Sequence, residues 1–189
     1  MKKYEFTGEV KVECGVTLHR IRAVVSFGIV VKGELGGWIE REDNLSQYGD
    51  AWVYGDARVY GDAWVYGNAK VCDNAKVYGN ACVYGNAKVY GNAWVCDNAK
   101  VCGDAWVYGN AKVCDNADYI VFKNWWSSGR WFTWTRSNNK WKVGCFFGTG
   151  AELIAKAYKD SEKSGREYER IVKYVESILA DENNEKTTK

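Results

Sequence analysis

Tryptophan and basic residues crowd one short stretch of this chain. Trp125, Trp126, Arg130, Trp131, Trp134, Arg136, Trp141 and Lys142 fall within eighteen residues. These residue types are enriched at the anchors of binding interfaces. An indole beside a guanidinium also stacks on a base and holds a phosphate. The chemistry on offer is recognition rather than bond breaking. The competing assignment is the core of a folded module, because tryptophan is usually largely buried. Gly148-Thr149-Gly150 is read either as an anion cradle at a helix N-terminus or, more simply, as a cap.

Catalytic residue types are scarce. His19 is the sole histidine. One imidazole does not supply a base plus a ligand set, so no catalytic residue, metal or cofactor is assigned and the chain is expected not to be an enzyme.

The elements that position these groups are set by a repeat. From Gln47 to Asp118 the chain reads Gly-Asp-Ala-Trp-Val-Tyr and its variants at a period of six. Valine recurs from Val53 to Val113 and alanine follows each valine by four residues, from Ala57 to Ala117. Fixed-period self-similarity is a strong signal of a repeat architecture. In Ala-x-Val the outer two side chains share a face and x points away. The Gly-Asn and Gly-Asp pairs mark turns, because these residues tolerate left-handed backbone angles. Three strand-turn units close a triangular coil of eighteen residues, and the repeat makes about four coils. Val and Ala fill a narrow core, so no internal ligand cavity is expected.

The outward positions are aromatic or basic. Columns such as Trp52-Lys70-Lys88-Trp106 and Tyr48-Tyr66-Tyr84-Cys102 run along the stack. So much aromatic area on a small prism predicts covered faces. The cover is another subunit or the chain's own end domains, and Trp52, Tyr54, Trp64, Tyr66, Tyr84, Trp94 and Trp106 are the candidate contacts with another subunit. Nucleic acid is a poor fit, because Asp56, Asp62, Asp73, Asp97, Asp104 and Asp115 stand at the corners.

Five of the seven cysteines (Cys72, Cys82, Cys96, Cys102 and Cys114) also take outward positions. An odd count without a secretion signal argues against a disulfide framework. Cys96 and Cys114 stack one coil apart, close enough for a disulfide or a shared soft metal, but the expectation is free, buried or half-buried thiols. No spacing resembles a closed zinc site.

Around the repeat, residues 1–46 read as an N-terminal β cap. Tyr4 to Cys14 alternates strictly, with Tyr4, Phe6, Gly8, Val10, Val12 and Cys14 on one face. Gly15 breaks the run, and Ile21, Ala23, Val25 and Phe27 line a second strand. Residues 119–180 read as an α+β module. A hairpin runs from Arg130 to Phe147 around Ser137-Asn138-Asn139. Thr149/Glu152 and Ser164/Glu167 have capping-box spacing and open two helices. Residues 181–189 are polar and expected to fray.

The Val53/Ala57 pattern resembles the left-handed parallel β-helix of hexapeptide-repeat proteins. Thr17 to Ala23, Lys32 to Glu40 and Asn44 to Gln47, leading into Gly-Asn-Ala repeats, resemble small repeat proteins of phages, prophages and gut bacteria. These are often labelled polymer-forming-cytoskeletal-like. The resemblance implies left-handed coils, a homo-oligomer in the form of a trimer and a mobile-element setting; a dimer through the C-terminal helices is the alternative. It also implies a target that is blocked or sequestered: a host protein, or a small nucleotide-like ligand at a subunit interface. Hexapeptide acyltransferases carry a histidine within the coils and the related carbonic anhydrases carry three metal-binding histidines; His19 lies outside the coils. The fold expected is therefore mainly β: a left-handed β-helix of about four coils, a β-hairpin cap and a C-terminal hairpin plus two helices. Net charge is +2, and neither a membrane span nor a signal-peptide run is present, so a cytoplasmic chain is expected.

Overall fold

The computed structural model describes residues 2–126 and 129–187, with side chains to Glu185. Eleven two-residue strands recur at six-residue intervals and form three parallel sheets. The first face stacks Arg58–Val59, Lys76–Val77, Trp94–Val95 and Lys112–Val113; the second stacks Trp52–Val53, Lys70–Val71, Lys88–Val89 and Trp106–Val107. The third stacks Trp64–Val65, Cys82–Val83 and Lys100–Val101. The result is a parallel β-solenoid of about four turns, as the period requires. Every valine from Val53 to Val113 and every alanine from Ala51 to Ala111 is at most 1% exposed.

The corners explain one sequence variation. Most place glycine at positive φ, for example Gly85 at +69°. In the Val-Cys-Asp-Asn units, Asp73 and Asp97 take that role at +62° and +55°. Aspartate tolerates this region better than most residues, and the Asp73 carboxylate accepts a hydrogen bond from the Gly91 amide at 2.9 Å. The third such unit ends the repeat: Asp115 has φ −134° and caps the turn Asn116–Asp118.

The N-terminal strands are β1 (Tyr4–Glu13), β2 (Val16–Ala23) and β3 (Leu35–Ile39). They are antiparallel to one another, and β3 then pairs in parallel with Arg58–Val59. The expected hairpin lid is thus a three-stranded extension of the first solenoid face. Cys14 and Gly15 both have positive φ, as a two-residue type I′ turn requires. The strict alternation of β1 is interrupted. Its register shifts between Phe6 and Val10, where Gly8 has φ +93°. Tyr4 is buried and Phe6 packs on the core, but Val10 and Val12 are exposed while Lys11 and Glu13 turn to the solenoid. An irregularity of this kind re-aims the side chains that follow it.

The C-terminal module is a four-stranded antiparallel sheet of strands Tyr119–Lys123, Trp131–Thr135, Lys140–Val143 and Phe146–Gly148. The strand expected to run to Phe147 breaks at Gly144, which has φ +54°. Helix α1 (Gly150–Asp160) begins with the expected Thr149/Glu152 capping box. Helix α2 (Glu162–Thr187) starts earlier than Ser164, with the Ser161 hydroxyl accepting from the Ser164 amide at 3.1 Å. It also continues through most of the stretch expected to fray, because Glu182 pairs with Arg136. Leu153, Ala157, Tyr168, Val172 and Val175 close a second core against Phe132, Trp134 and Trp141.

The two ends of the solenoid differ in hydrogen-bonding character. Each coil donates its amides to the carbonyls of the next, as Trp52 does to Ala69 and Lys70 to Ala87. The first coil is therefore left with carbonyls and the last with amides. At the first coil, the Lys3 ammonium donates to Gly49 and Ala51, and the Asn44 side chain to Gly61 and Ala63. At the last, the amides of Lys100, Trp106, Lys112 and Cys114 donate to side chains of Asn116, Thr133, Ser137 and Asp118. Buried backbone groups demand partners, which accounts for a lysine that is 4% exposed and a fully buried asparagine.

Candidate functional site

The aromatic and basic residues of the C-terminal stretch do not form one surface. Trp134 and Trp141 are 1% and 2% exposed. They form the module's core with α1 and α2, so they present no binding face. The polar neighbours are buried as well, since Thr133 and Thr135 face the solenoid, where the Thr133 hydroxyl accepts from the Trp106 amide, so the strand is covered on both faces. Arg136 is a latch: its guanidinium donates to both carboxylate oxygens of Glu182 at 2.6 and 3.0 Å and to the Ala117 carbonyl at 3.2 Å. The Glu182 hydrogen bond holds its pKa above the usual arginine value.

The remaining residues divide between two sites. Trp125 is 83% exposed and meets Trp126 edge to face at 6.2 Å. Both line a shallow cleft of about 280 Å³ with Phe122, Lys123, Ile171, Tyr174 and the Glu167–Arg170 ion pair, between the first strand of the module and α2. Tyr174 is 56% exposed. It lies off the buried stripe of α2, and an aromatic off the apolar face was the available sign of it. Ser127 and Ser128 lie outside the described residues.

Arg130 and Trp131 instead join a groove of about 560 Å³ that runs along the second solenoid face, between the Gly28–Ile29 loop and the module. Its floor is the Lys70, Lys88 and Trp106 column with Tyr54, and its edge is the Asp50, Asn68, Asn86 and Asp104 corner. The corner is a ladder: Asn68 donates to Asn86 at 3.1 Å, and Asn86 to Asp104 at 3.3 Å. Lys88 lies over the Trp106 ring at 4.1 Å and Lys142 at 5.2 Å. Burial and the neighbouring Lys70 charge lower the Lys88 pKa; burial, and then the Lys88 charge, lower that of Lys142.

The residues expected to contact another subunit are also divided. Trp52 is fully buried beneath the N-terminal strands, edge-on to Tyr4 and Phe27, and is removed from any subunit surface. Its alternation pointed outward, but β3 and the loop before it cover that end of the face. Trp94 lies under Lys76 and Lys112, and Tyr54 and Trp106 line the groove. Trp64 remains on the third face, 44% exposed and stacked on Tyr66 at 4.0 Å, with Tyr66 on Tyr84 at 4.9 Å. Cys96 and Cys114, expected as free thiols, instead form a disulfide, their stacking one coil apart placing the Cα atoms 4.4 Å from each other, and Asp97 lies beside them. His19 stacks on Phe6 at 4.8 Å in the N-terminal sheet, away from both sites.

Sheet order and repeat define a parallel β-solenoid protein. A sequence-family model described as the YdcK Beta solenoid repeat matches residues 51–67. The chain is also similar to the "Uncharacterized acetyltransferase YdcK" of Escherichia coli (strain K12), with 36% identity over 62 residues, 29% of this chain. It spans only 19% of that relative's length. No helix among the described residues is long and apolar enough to cross a membrane.

Proposed function

We propose that this chain is a binding scaffold that acts without catalysis and takes a protein partner at the Trp125 cleft. The observation that carries this reading is an exposed aromatic and basic patch, Trp125 with Tyr174, Lys123 and Arg170, mounted on a packed module. Exposed tryptophan, tyrosine and arginine around a cleft are the residue types of interface anchors. The solenoid gives the module a rigid base. The bare third face, with Trp64, Tyr66 and Tyr84, is the surface we assign to self-association. In the mobile-element setting that the repeat resemblance implies, the partner is a host factor held or blocked.

The similarity to a protein named as an acetyltransferase is confined to a short segment, and the placement of His19 away from the coils supports binding over transfer. Native mass spectrometry of the protein purified from cells gives the subunit number and any retained partner. Trp125→Ser and Tyr174→Ser should each release that partner while the fold persists. Retention by both variants, or turnover of acetyl-CoA by the purified protein, would remove this reading.

A further inference from the structure

We propose that the groove along the second solenoid face binds a phosphorylated nucleoside within a single chain, its phosphates at Lys70 and Lys88 and its base against Trp131. The groove is separate from the Trp125 cleft, so the inference does not depend on the protein-partner reading.

The groove has two chemically different walls. The solenoid wall is cationic and amidic. Lys70 and Lys88 are neighbours in the parallel register, one coil apart. Neither forms an ion pair among the described residues, and the same holds for Arg130 across the groove. Lys142, behind Trp106, is 9% exposed and also lacks an ion pair among the described residues. Its ammonium lies over the Tyr108 ring at 4.4 Å. Lys70 and Lys88 are half-buried, and the Lys70 charge beside Lys88 is unfavourable until an anion joins them. Two carboxylates also line the groove: Asp104 accepts from Asn86 and favours the Lys88 ammonium, and Asp50 favours that of Lys3, which leaves Lys70 and Arg130 without a paired carboxylate among the described residues.

The opposite wall is aromatic. Trp131 is 37% exposed and offers an indole surface on which a base can stack. Asn68 and Asn86 supply amide groups at the rim for sugar hydroxyls. The Tyr54 hydroxyl is buried in the floor without a hydrogen-bond partner among the described residues. A volume of about 560 Å³ lies within the range of small-molecule sites. A bare anion would leave the aromatic wall unused, and an uncharged ring would leave the cationic wall unused.

The test is isothermal titration calorimetry of the full chain with ATP, GTP, CTP and UTP, and with pyrophosphate and adenosine as the two halves. At least one nucleotide is expected to bind, and to bind more tightly than either half. Lys70→Gln with Lys88→Gln should weaken it about tenfold or more, the worth of one lost charge-assisted contact. Lys100→Gln, on the third face, should leave affinity unchanged, with circular dichroism reporting the fold of each variant. No binding by any of the four nucleotides at millimolar concentration overturns the proposal. So does equal binding of pyrophosphate or adenosine alone, or affinity indifferent to the two lysines.

Discussion

The Lys3 ammonium stands 2.9 Å from the Ala51 carbonyl, donating into the open end of the solenoid. It supplies to the first coil what a preceding coil would have given as a backbone amide. Burial lowers its pKa from 10.5 to about 8, although Asp50 acts in the opposite sense. Replacing it with methionine keeps the aliphatic stem but strands two carbonyls. Lys3→Met is expected to cost about 1–3 kcal/mol, the penalty of buried groups left unpaired, read as a fall in urea midpoint.

The same group gives stability a pH dependence with a definite sign. Between about pH 8 and 10.5 the folded chain has released the Lys3 proton and the unfolded chain still holds it, so stability rises with pH. Tyrosines then reverse the trend. Burial pushes Tyr54, Tyr60 and Tyr119 up to about 12 from a model-compound value of 10.0. Their contribution is complete below pH 10 and is lost as pH climbs toward 12. Urea midpoints should rise from pH 8 to about 9.5, less steeply in Lys3→Met, and fall above pH 10 in both proteins.

Glu13 ties the hairpin to the first face, pairing with Arg58 and Lys76 at 2.6 Å each. Burial alone would raise its pKa, but the Lys76 hydrogen bond and the two cations outweigh it, and the net shift is downward. The pair therefore stabilises the fold above the ordinary carboxylate value of 4.5, and the effect disappears as pH falls below it. Glu13→Gln should cost about 1 kcal/mol at pH 7 and little at pH 3. Equal costs at the two pH values would exclude a charge effect.

Gly85 and Gly103 occupy the same corner one coil apart, with similar φ, +69° and +64°. A Cβ on Gly85 would meet the Gly103 amide nitrogen at 3.0 Å, whereas a Cβ on Gly103 meets nothing within 4 Å. Gly103→Ala should cost only the left-handed strain, about 1–2 kcal/mol. Gly85→Ala should cost more, because the coil beneath must also move. Thermal melts of the two variants decide it, and equal shifts would show that stacking adds nothing to the strain.

Val89 and Val12 look alike in sequence and differ in the fold. Val89 is fully buried in the second face and Val12 is 71% exposed. Val89→Ala should cost about 2 kcal/mol through lost burial and the space left behind. Val12→Ala should change stability by no more than about 0.5 kcal/mol. A denaturant series on both variants checks the contrast.

The coils were legible because each repeat states its own geometry: Val and Ala inward, a turn residue at each corner, the next unit six residues on. The capping box of Thr149 and Glu152 was legible for a similar reason, since its partners are three residues apart. Other features depend on contacts distant in sequence. The break at Gly8 is visible only once β1 is paired with β2. The burial of Trp52 requires Tyr4 and Phe27, which come from elsewhere in the chain. In the C-terminal stretch, residue types suggested recognition, but alternation alone did not reveal which face of Trp134 and Trp141 the helices would cover. The groove joins Lys70, Lys88, Arg130 and Trp131, which no short motif connects.

The opposed ends of the solenoid have one more consequence. A coil stack with carbonyls at one end and amides at the other is a matched plug and socket. Every coil repeats the last, so two bare stacks would find their register without any dedicated interface. Residues 1–46 and 116–187 therefore act as terminators of a filament that the repeat would otherwise build. A chain cut back to residues 47–115 is expected to grow end to end, because it loses Lys3 and Asn44 at one end and Asn116, Asp118, Thr133 and Ser137 at the other.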